Sequence, residues 1–236
     1  MFLFFLLLVT FIIFIYFLRN PTEVLVPYNL LIENLYEKKV FYSEEEKKKI
    51  FPTSIILEKE WKNIRDEFLN FVNDNENYKF GNVGKNFIIE SEDFWNGWTS
   101  FPLRMFGKDN EENMNKCPTL KKILKADKDI PTAFFSIMEP GKTLPSHYGP
   151  FKGILRYHLG LKIAKKGNCF ISVDGETYDW KEGEGILFDE TYKHFVINDT
   201  DEYRVILFID VKRPLDFPLN IVNDSILYLM GISPYN

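Results

Sequence analysis

The chain has 236 residues, of which 45% are hydrophobic and 17% aromatic, and its net charge is −5. This length and composition fit one globular domain together with an apolar segment outside it. Basic residues are spread along the chain without a cluster, which argues against a nucleic-acid-binding protein. Two cysteines, Cys117 and Cys169, are too few for a disulfide framework and lack zinc-site spacing. We expect two buried free thiols, with one disulfide as the alternative in an oxidising lumen.

Residues 1–18 form an apolar run in which only Thr10 is polar and no residue is charged. A helix of this length spans roughly 27 Å, close to the ~30 Å core of a bilayer. A cleaved signal peptide is the alternative, but no basic residue precedes the run and Arg19, Asn20 and Pro21 follow it. The pattern therefore predicts an uncleaved, single-pass N-terminal membrane anchor.

The sequence leaves the orientation across the membrane open. Arg19 follows the apolar run and favours a cytoplasmic body by the positive-inside rule. Two glycosylation sequons, which begin at Asn198 and Asn223, would be usable only in a lumen such as that of the endoplasmic reticulum. One charge and two short tripeptides do not decide between these orientations.

Residues 19–50 are predicted to form a polar connector. Their block EEEKKK at 44–49 places opposite charges four residues apart, as on a solvated helix face. The globular domain is predicted to span residues 51–236, and Pro-Thr-Ser at 52–54 is a helix-start signal. Apolar residues then recur every three or four positions, which predicts one helix with an apolar stripe that covers a sheet. The stripe consists of Leu57, Trp61, Ile64, Phe68 and Phe71.

From Thr132 the period of the pattern changes to two. Short segments of alternating character are separated by turns rich in glycine or proline, with no helical pattern between them. The predicted strands are 132–139, 154–163, 169–173, 176–180, 185–188, 194–198 and 203–211. They predict a mainly β protein with flanking helices, built as an antiparallel sandwich or barrel. Ahead of them, the aromatic residues at 93–106 are expected mostly to pack in the core.

All three histidines, His147, His158 and His194, lie within this β region. His147 lies at a strand edge and His194 begins a strand, so two imidazoles from opposite strands could hold a divalent metal. A facial triad of iron ligands would add a carboxylate two residues after the first histidine, but this residue is Gly149. On spacing alone a histidine pair is more often structural, and the acidic pair at 189–190 offers alternative carboxylates.

Two arginines, Arg156 and Arg204, lie inside apolar strands. By strand alternation, Arg156 shares a face with Ile154 and His158. An inward-facing arginine needs an anion, and guanidinium pairs with carboxylate through two parallel hydrogen bonds, so two such arginines suit a dicarboxylate. The alternatives are an arginine that faces solvent or one that pairs with an internal Asp or Glu.

Six segments together carry a resemblance to a known family. They are SIMEPG from Ser136, HYGP from His147, LRYHLGL from Leu155, WKEGE from Trp180, FDETYKH up to His194, and RVILFIDV from Arg204. In order and spacing, residues 51–215 resemble the aspartyl/asparaginyl β-hydroxylase family of Fe(II)- and 2-oxoglutarate-dependent dioxygenases. The resemblance implies a double-stranded β-helix, which is a jelly-roll or cupin-like barrel and agrees with the predicted strands.

The resemblance also implies the iron ligands. His147 and His194 would bind Fe2+, and Gly149 would match the glycine that replaces the carboxylate ligand in this family. Asp189 would orient a ligand or a bound water from the surrounding shell.

The resemblance further implies how the co-substrate binds. Arg204 with Ser136 would bind the distal carboxylate of 2-oxoglutarate, and Arg156 with His158 the carboxylate next to the keto group. With O2, the bound iron and co-substrate would then hydroxylate an unactivated C–H bond. Halide in the position vacated at Gly149 would instead give a halogenase, which the resemblance disfavours.

The expected substrate is an Asp or Asn side chain in another protein. Acyl chains of membrane lipids are the alternative substrate, because some family members that resemble this chain are small, membrane-anchored and free of added repeats. A non-catalytic β-barrel binding module is a second alternative. No nucleic-acid partner is expected.

Overall fold

The structure is a computed structural model that describes residues 21–74 and 97–232. The predicted membrane anchor at residues 1–18 lies outside these ranges. Within them, every helix is too short or too polar to cross a membrane. The anchor therefore stays a prediction.

Seven helices and ten strands make up the described ranges, numbered here in chain order. The helices are α1 (Pro21–Leu35), α2 (Glu44–Ile50), α3 (Thr53–Lys59), α4 (Trp61–Asp74), α5 (Glu111–Met114), α6 (Pro118–Ala126) and α7 (Leu219–Ile232). The strands are β1 (Trp98–Met105), β2 (Lys108–Asp109), β3 (Thr132–Met138), β4 (Lys142–His147), β5 (Ile154–Lys162), β6 (Asn168–Val173), β7 (Glu176–Asp179), β8 (Gly185–Phe188), β9 (His194–Asp199) and β10 (Arg204–Lys212).

The strands form two sheets of antiparallel pairs. One sheet has six strands in the order β2-β1-β3-β10-β5-β8, and the other has four in the order β4-β9-β6-β7. From β3 onward the chain moves back and forth between the two sheets, with β6 and β7 as a hairpin in the smaller one. This is the strand order of a jelly roll of eight strands with two extra strands on one edge. The predicted double-stranded β-helix is confirmed.

Strand alternation gives the six-stranded sheet two different buried faces. Its outer face packs against α3, α4 and α6 in the largest hydrophobic core, where Phe68 of α4 stacks on Phe135 of β3 at 4.0 Å between ring centroids. Its inner face turns towards the four-stranded sheet and forms a second core with residues such as Ile171 and Val196. The inner face also carries polar side chains, and these form the candidate site.

The predicted helix from Leu57 to Phe71 is two helices. Its apolar stripe is confirmed, since Leu57, Ile64 and Phe68 are fully buried. The backbone leaves the helical conformation at Glu60 (φ −92°, ψ 7°), which ends α3 before α4 begins. Both helices still present the stripe to the outer face of the six-stranded sheet.

The segment predicted as a connector contacts the barrel. The backbone of Val40 accepts a hydrogen bond from the amide of Asp189, and the amide of Tyr42 donates to Leu187, both at 2.9 Å. In α2, Lys47 is fully buried and its Nζ donates to the carbonyl of Gly185 at 2.6 Å. The charged block at 44–49 is therefore not simply a solvated face, and the domain boundary predicted at residue 51 stays a prediction.

Both sequon asparagines are buried. The side chain of Asn198 donates to the carbonyls of Glu139 (2.8 Å) and Glu202 (2.9 Å), and Asn223 donates to the carbonyl of Gly153 (2.8 Å). Hydrogen bonding within the fold explains both residues, so neither sequon bears on the membrane orientation.

The two cysteines are free and buried, as expected. Cys117 lies in the core outside the six-stranded sheet and Cys169 in the core inside it.

Candidate active site

His147 and His194 are cross-strand neighbours. His147 ends β4, His194 begins β9, and the two residues pair directly in the register of the smaller sheet. Their ring centroids are 4.1 Å apart with the planes at 55°. An irregularity in β4 between Leu144 and His147 adjusts this register just before the histidine. The structure therefore brings together the two residues predicted to bind iron.

The hydrogen bonds of the two rings fix their tautomer. Nδ1 of His147 lies 2.8 Å from the carbonyl oxygen of Pro145, and Nδ1 of His194 lies 2.9 Å from that of Tyr192. A carbonyl can only accept, so each Nδ1 carries a proton and the lone pair of each neutral ring lies on Nε2. Burial lowers the pKa of both rings, to about 4 for His194, where the neighbouring His147 adds to the effect. Two neutral imidazoles held in this way suit a divalent metal.

Gly149 is in contact with the side chain of Glu190. A Cβ atom at position 149 would lie 2.5 Å from Cγ and 2.6 Å from Cδ of Glu190. The amide of Gly149 also donates to the carbonyl of Glu190 at 2.8 Å. The space that a side chain at 149 would occupy is therefore filled by a carboxylate from elsewhere in the chain. In the described ranges, no group of three or more His, Cys, Asp and Glu side chains is placed to hold a metal ion.

Arg156 is paired with two internal acids, one of the alternatives that the sequence left open. Its Nη2 lies 2.6 Å from Glu190 and its Nε 2.9 Å from Asp210, the latter as an ion pair that is not aligned as a hydrogen bond. The guanidinium also lies over the ring of Phe208 at 3.6 Å. Burial raises the pKa of Glu190 to about 7, although the positive charge of Arg156 acts to lower it. A contact of Arg156 with 2-oxoglutarate stays a prediction.

Arg204 is a buried cation without an acidic partner in the described part of the chain. Its Nη2 donates to Oγ of Ser136 at 3.0 Å, and its guanidinium lies 5.0 Å from the ring centroid of Trp180. Its Nε has no hydrogen-bond partner within those ranges. Burial lowers the pKa of this arginine to about 10, because the charged form is costly to bury unless an anion stabilises it.

His158 is a second polar group inside the barrel with unsatisfied hydrogen bonding. Neither ring nitrogen has a partner among the described residues, and the ring lies among Trp180, Phe188 and Phe208. Burial, with the charges of Arg156 and Arg204, holds its pKa well below the usual value. Buried polar atoms without partners are uncommon in folded proteins, and they mark a place where a ligand could bind.

The strand register places these groups on one surface. Arg204, Phe208 and Asp210 alternate along the inner face of β10, and Ser136 and His158 lie on the same face of its two neighbours. The unpaired Nε of Arg204, the Ser136 hydroxyl and the two nitrogens of His158 form a donor-rich, buried set. Such a set fits a dicarboxylate, and the paired histidines fit a divalent iron.

Asp189 stabilises the turn that precedes His194. Its Oδ2 accepts from Arg213 at 2.5 Å, and its Oδ1 accepts from the amide (3.0 Å) and hydroxyl (2.6 Å) of Thr191. These hydrogen bonds fix the loop between β8 and β9. The predicted role in orienting a metal ligand or water stays a prediction.

Four residues contribute to the site without having been predicted to do so. Trp98 donates from Nε1 to Ser136 at 2.9 Å, Trp180 packs on Arg204, Asp210 pairs with Arg156, and Arg213 holds Asp189. Strand alternation could have suggested Asp210, because it lies on the same face of β10 as Arg204. A cavity of about 320 Å3 lies beside Phe51, Lys212 and Asn223, and of the residues named for the site only Arg213 lines it.

A model of the aspartyl/asparaginyl β-hydroxylase family matches residues 58–214. The chain belongs to this family. The match covers β3 to β10 and therefore every residue assigned to the candidate site.

Two relatives of this β-hydroxylase family differ in what their names describe. The chain is 35% identical over 187 residues to an ornithine lipid ester-linked acyl 2-hydroxylase from Rhizobium tropici, covering 78% of this chain and 66% of the relative. It is 35% identical over 163 residues to the aspartyl/asparaginyl beta-hydroxylase of Mus musculus, covering 67% of this chain and 21% of the relative. The chain thus spans just under two thirds of the first relative and about a fifth of the second.

A solved structure of a 2OG-Fe(II) oxygenase family oxidoreductase from Burkholderia pseudomallei superposes on half of the chain. It covers 50% of this chain and 70% of that one, at 13% identity and a TM-score of 0.39. A likeness this weak adds nothing to the fold given by the strand order.

Proposed function

We propose that this chain is an Fe(II)- and 2-oxoglutarate-dependent hydroxylase. The observation that carries the proposal is Arg204, a buried guanidinium with an unpartnered Nε beside the Ser136 hydroxyl, in the same barrel as the His147–His194 pair. A buried charge of this kind is costly unless an anion binds it. Membership of the β-hydroxylase family supports 2-oxoglutarate as that anion.

The two histidines hold the iron in this proposal. Their Nδ1–H groups are fixed by backbone carbonyls, so both rings offer Nε2 without a proton having to leave. Bound iron would supply the oxidation of a C–H bond by O2, coupled to the conversion of 2-oxoglutarate to succinate and carbon dioxide. Glu190 packs against Gly149, which lies two residues after His147 in the chain.

The remaining polar groups bind and orient the co-substrate. Arg204 and Ser136 hold the distal carboxylate through charge-assisted hydrogen bonds. His158 and Arg156 hold the carboxylate next to the keto group, and the acids already bound to Arg156 keep its guanidinium over Phe208. The aromatic and aliphatic side chains of the inner core exclude water from around these groups.

The substrate has two candidates within this reaction. Asp or Asn side chains of a protein are supported by the family as a whole and by the mouse relative named for that activity. Acyl chains of a membrane lipid are supported by the Rhizobium relative, whose alignment extends over more of this chain. The single-pass anchor predicted at residues 1–18 suits either substrate at a membrane such as that of the endoplasmic reticulum, in an orientation that the sequence leaves open.

Turnover of 2-oxoglutarate tests the reaction. The purified full chain should form succinate only when Fe(II) is added, and His194→Ala should abolish both iron binding and turnover. Arg204→Ala should weaken 2-oxoglutarate binding about a hundredfold, because losing a buried charged contact costs on the order of 3 kcal/mol. Metal analysis should find the iron retained in this variant, and Arg65→Ala on the surface of α4 should behave as wild type.

Unchanged 2-oxoglutarate affinity in Arg204→Ala would remove the assignment of the distal carboxylate. If the iron-loaded chain neither binds nor converts 2-oxoglutarate, a non-catalytic binding module becomes the better description.

A further inference from the structure

Helices α1 and α7 run in opposite directions on the end of the barrel and are joined by side-chain hydrogen bonds and a small shared core. The amide of Asp216 donates to the hydroxyl of Tyr36 at 3.0 Å, and the hydroxyl of Tyr28 donates to Asn223 at 3.2 Å. Residue numbers fall along α7 as they rise along α1, so the helices run in opposite directions. Their inner sides form a small core with Phe151, in which the ring of Tyr28 stacks at 5.7 Å between centroids.

The outer side of this pair is apolar and exposed. In the described ranges, twelve large apolar or tyrosine side chains are exposed. Nine of them belong to α1, to α7 or to the residue just before Pro218. These nine are Val26, Leu30, Leu31, Leu35, Phe217, Ile221, Val222, Tyr228 and Ile232. The two hydrogen bonds place Leu31 near the level of Ile221 along the pair. Concentration on two neighbouring helices distinguishes these side chains from apolar residues scattered singly on a surface.

This surface is almost free of charge. Among the described side chains of α1 only Glu33 is charged, and in α7 only Asp224, which pairs with Lys212 at 2.9 Å. An uncharged apolar surface of this kind is typical of a contact with a membrane or another protein.

The position of the chain favours the membrane. The apolar run of residues 1–18 ends three residues before α1 begins at Pro21. Three residues span at most about 11 Å, so α1 starts within that distance of the bilayer that the run is predicted to enter. A helix with an exposed apolar face at this depth can lie along the interface.

The same helix pair is joined to the candidate site. Asn29 of α1 donates to the carbonyl of Pro150 and accepts from the amide of Lys152, both at 2.8 Å. These residues belong to the loop that follows His147. Tyr148 in this loop is 66% exposed, so an apolar side chain stands in solvent directly beside the predicted iron ligand.

We propose that the outer face of the α1–α7 pair lies on the bilayer that residues 1–18 enter, and that the site takes its substrate, a lipid acyl chain, from that surface. The substrate half of this proposal rests on the proposed hydroxylase function, whereas the bilayer contact does not. The contact brings the loop after His147 to the interface, where an acyl chain can reach the His147–His194 pair without leaving the membrane.

Fluorescence quenching in vesicles tests the contact on the full chain. Cys117 and Cys169 are buried, so single cysteines introduced as Leu31→Cys or Ile221→Cys can be labelled selectively with a small fluorophore. Ile56→Cys on α3 is the matched control, because Ile56 is equally apolar and 52% exposed but lies on another helix. Vesicles of phosphatidylcholine carrying a shallow nitroxide lipid should quench the probes at 31 and 221 strongly and the probe at 56 weakly.

Equal quenching at 31, 221 and 56 would overturn the bilayer contact. Shielding of the probes at 31 and 221 from an aqueous quencher without quenching by the nitroxide lipid would also overturn it, because that result indicates a protein partner or a second copy.

Lipid oxidation tests the substrate. The double variant Leu31→Glu with Ile221→Glu should lower the oxygen incorporated into an ornithine lipid in vesicles about tenfold or more, since two charges oppose binding at the interface. Its affinity for 2-oxoglutarate should equal that of the wild type and of Ile56→Glu.

Unchanged lipid oxidation in the double variant, or no lipid oxidation in a wild type that turns over 2-oxoglutarate, would overturn the lipid acyl chain as the substrate. Quenching at 31 and 221 in a chain that binds no 2-oxoglutarate would support the bilayer contact and reject the hydroxylase function. Failure of the proposed function can therefore be told apart from failure of the bilayer contact.

Discussion

Gly149 is required by the space around it, because Glu190 occupies the volume that any side chain there would need. We predict that Gly149→Ala lowers the free energy of unfolding by about 1–3 kcal/mol, the usual cost of inserting a methyl group into a space that is already filled. The methyl group would also displace the carboxylate that pairs with Arg156. Urea unfolding of the two proteins measures the difference.

A double-mutant cycle separates this clash from other effects of the substitution. Adding Glu190→Ala removes the two side-chain carbons that the new methyl group meets most closely and leaves the backbone oxygen of residue 190 at 2.9 Å, so Gly149→Ala should cost less in that background. Equal costs in both backgrounds would show that the glycine is needed for another reason.

Glu190 itself should make stability depend on pH. Burial raises its pKa from 4.5 to about 7, so the folded protein holds this proton more tightly than the unfolded chain does. The free energy of unfolding should therefore fall as pH rises from about 5 to 7, by up to on the order of 3 kcal/mol. Urea unfolding at pH 5 and pH 8 should show this fall in the wild type and a smaller one in Glu190→Gln. Glu37 is exposed, so Glu37→Gln should show the same change in the free energy of unfolding between pH 5 and pH 8 as the wild type. The prediction would be contradicted if Glu190→Gln also showed the wild-type change.

At the scale of elements, Asn198 joins three strands through one buried amide. It lies in β9 and donates to backbone carbonyls at the end of β3 and before β10. Asn198→Ala should cost about 2–3 kcal/mol, because it leaves buried carbonyls without donors. Thermal unfolding measures the cost, and the exposed Asn168→Ala on neighbouring β6 should change stability by less than about 0.5 kcal/mol. A similar, small effect of both substitutions would mean that water replaces the amide.

Helix α2 is attached to the barrel through Lys47. The buried Nζ pairs with Glu58 of α3 at 2.6 Å and donates to the carbonyl of Gly185, the first residue of β8. Lys47→Met should cost on the order of 3 kcal/mol, because Glu58 would lose its buried partner. Lys48→Met, one residue along on the exposed face, is the control for the loss of charge. Equal unfolding midpoints for the two variants would show that α2 contributes little to the barrel.

For the whole molecule, the six-stranded sheet separates two cores and places one cysteine in each. Burial raises the pKa of Cys117 to about 12, so this thiol stays protonated. We predict that the melting temperature is the same with and without dithiothreitol. A lower value in reductant would show that the two cysteines form a disulfide, which the separation of the cores opposes.

The sequence predicted seven of the eight strands of the jelly roll to within about two residues, because turns rich in glycine or proline bound short apolar or alternating segments. It did not predict β4, whose sequence KTLPSH is mostly polar and contains Pro145. β4 is an edge strand of the smaller sheet, where a proline is tolerated and one side needs no partner. β1 was described only as an aromatic segment, since a bulge between Pro102 and Arg104 disrupts its alternation.

Of the site, the sequence placed the histidines and arginines in or beside strands, and the structure brings Arg156, His158 and Arg204 to the inner face of the six-stranded sheet. The sequence could not assign partners to Arg156, because Glu190 comes from a loop and Asp210 from a neighbouring strand, and pairing across strands depends on register. The α1 helix was also missed. Its apolar residues face both the small core and the surface, so they show no simple period.

The edge position of β4 gives the two predicted iron ligands unequal freedom. His194 belongs to β9, which is held by strands on both sides, whereas His147 ends a strand that pairs only with β9 in the described sheet. Edge strands open locally at lower free energy than interior ones. Metal would therefore enter and leave on the His147 side, and its binding should slow amide hydrogen exchange in β4 more than in β9.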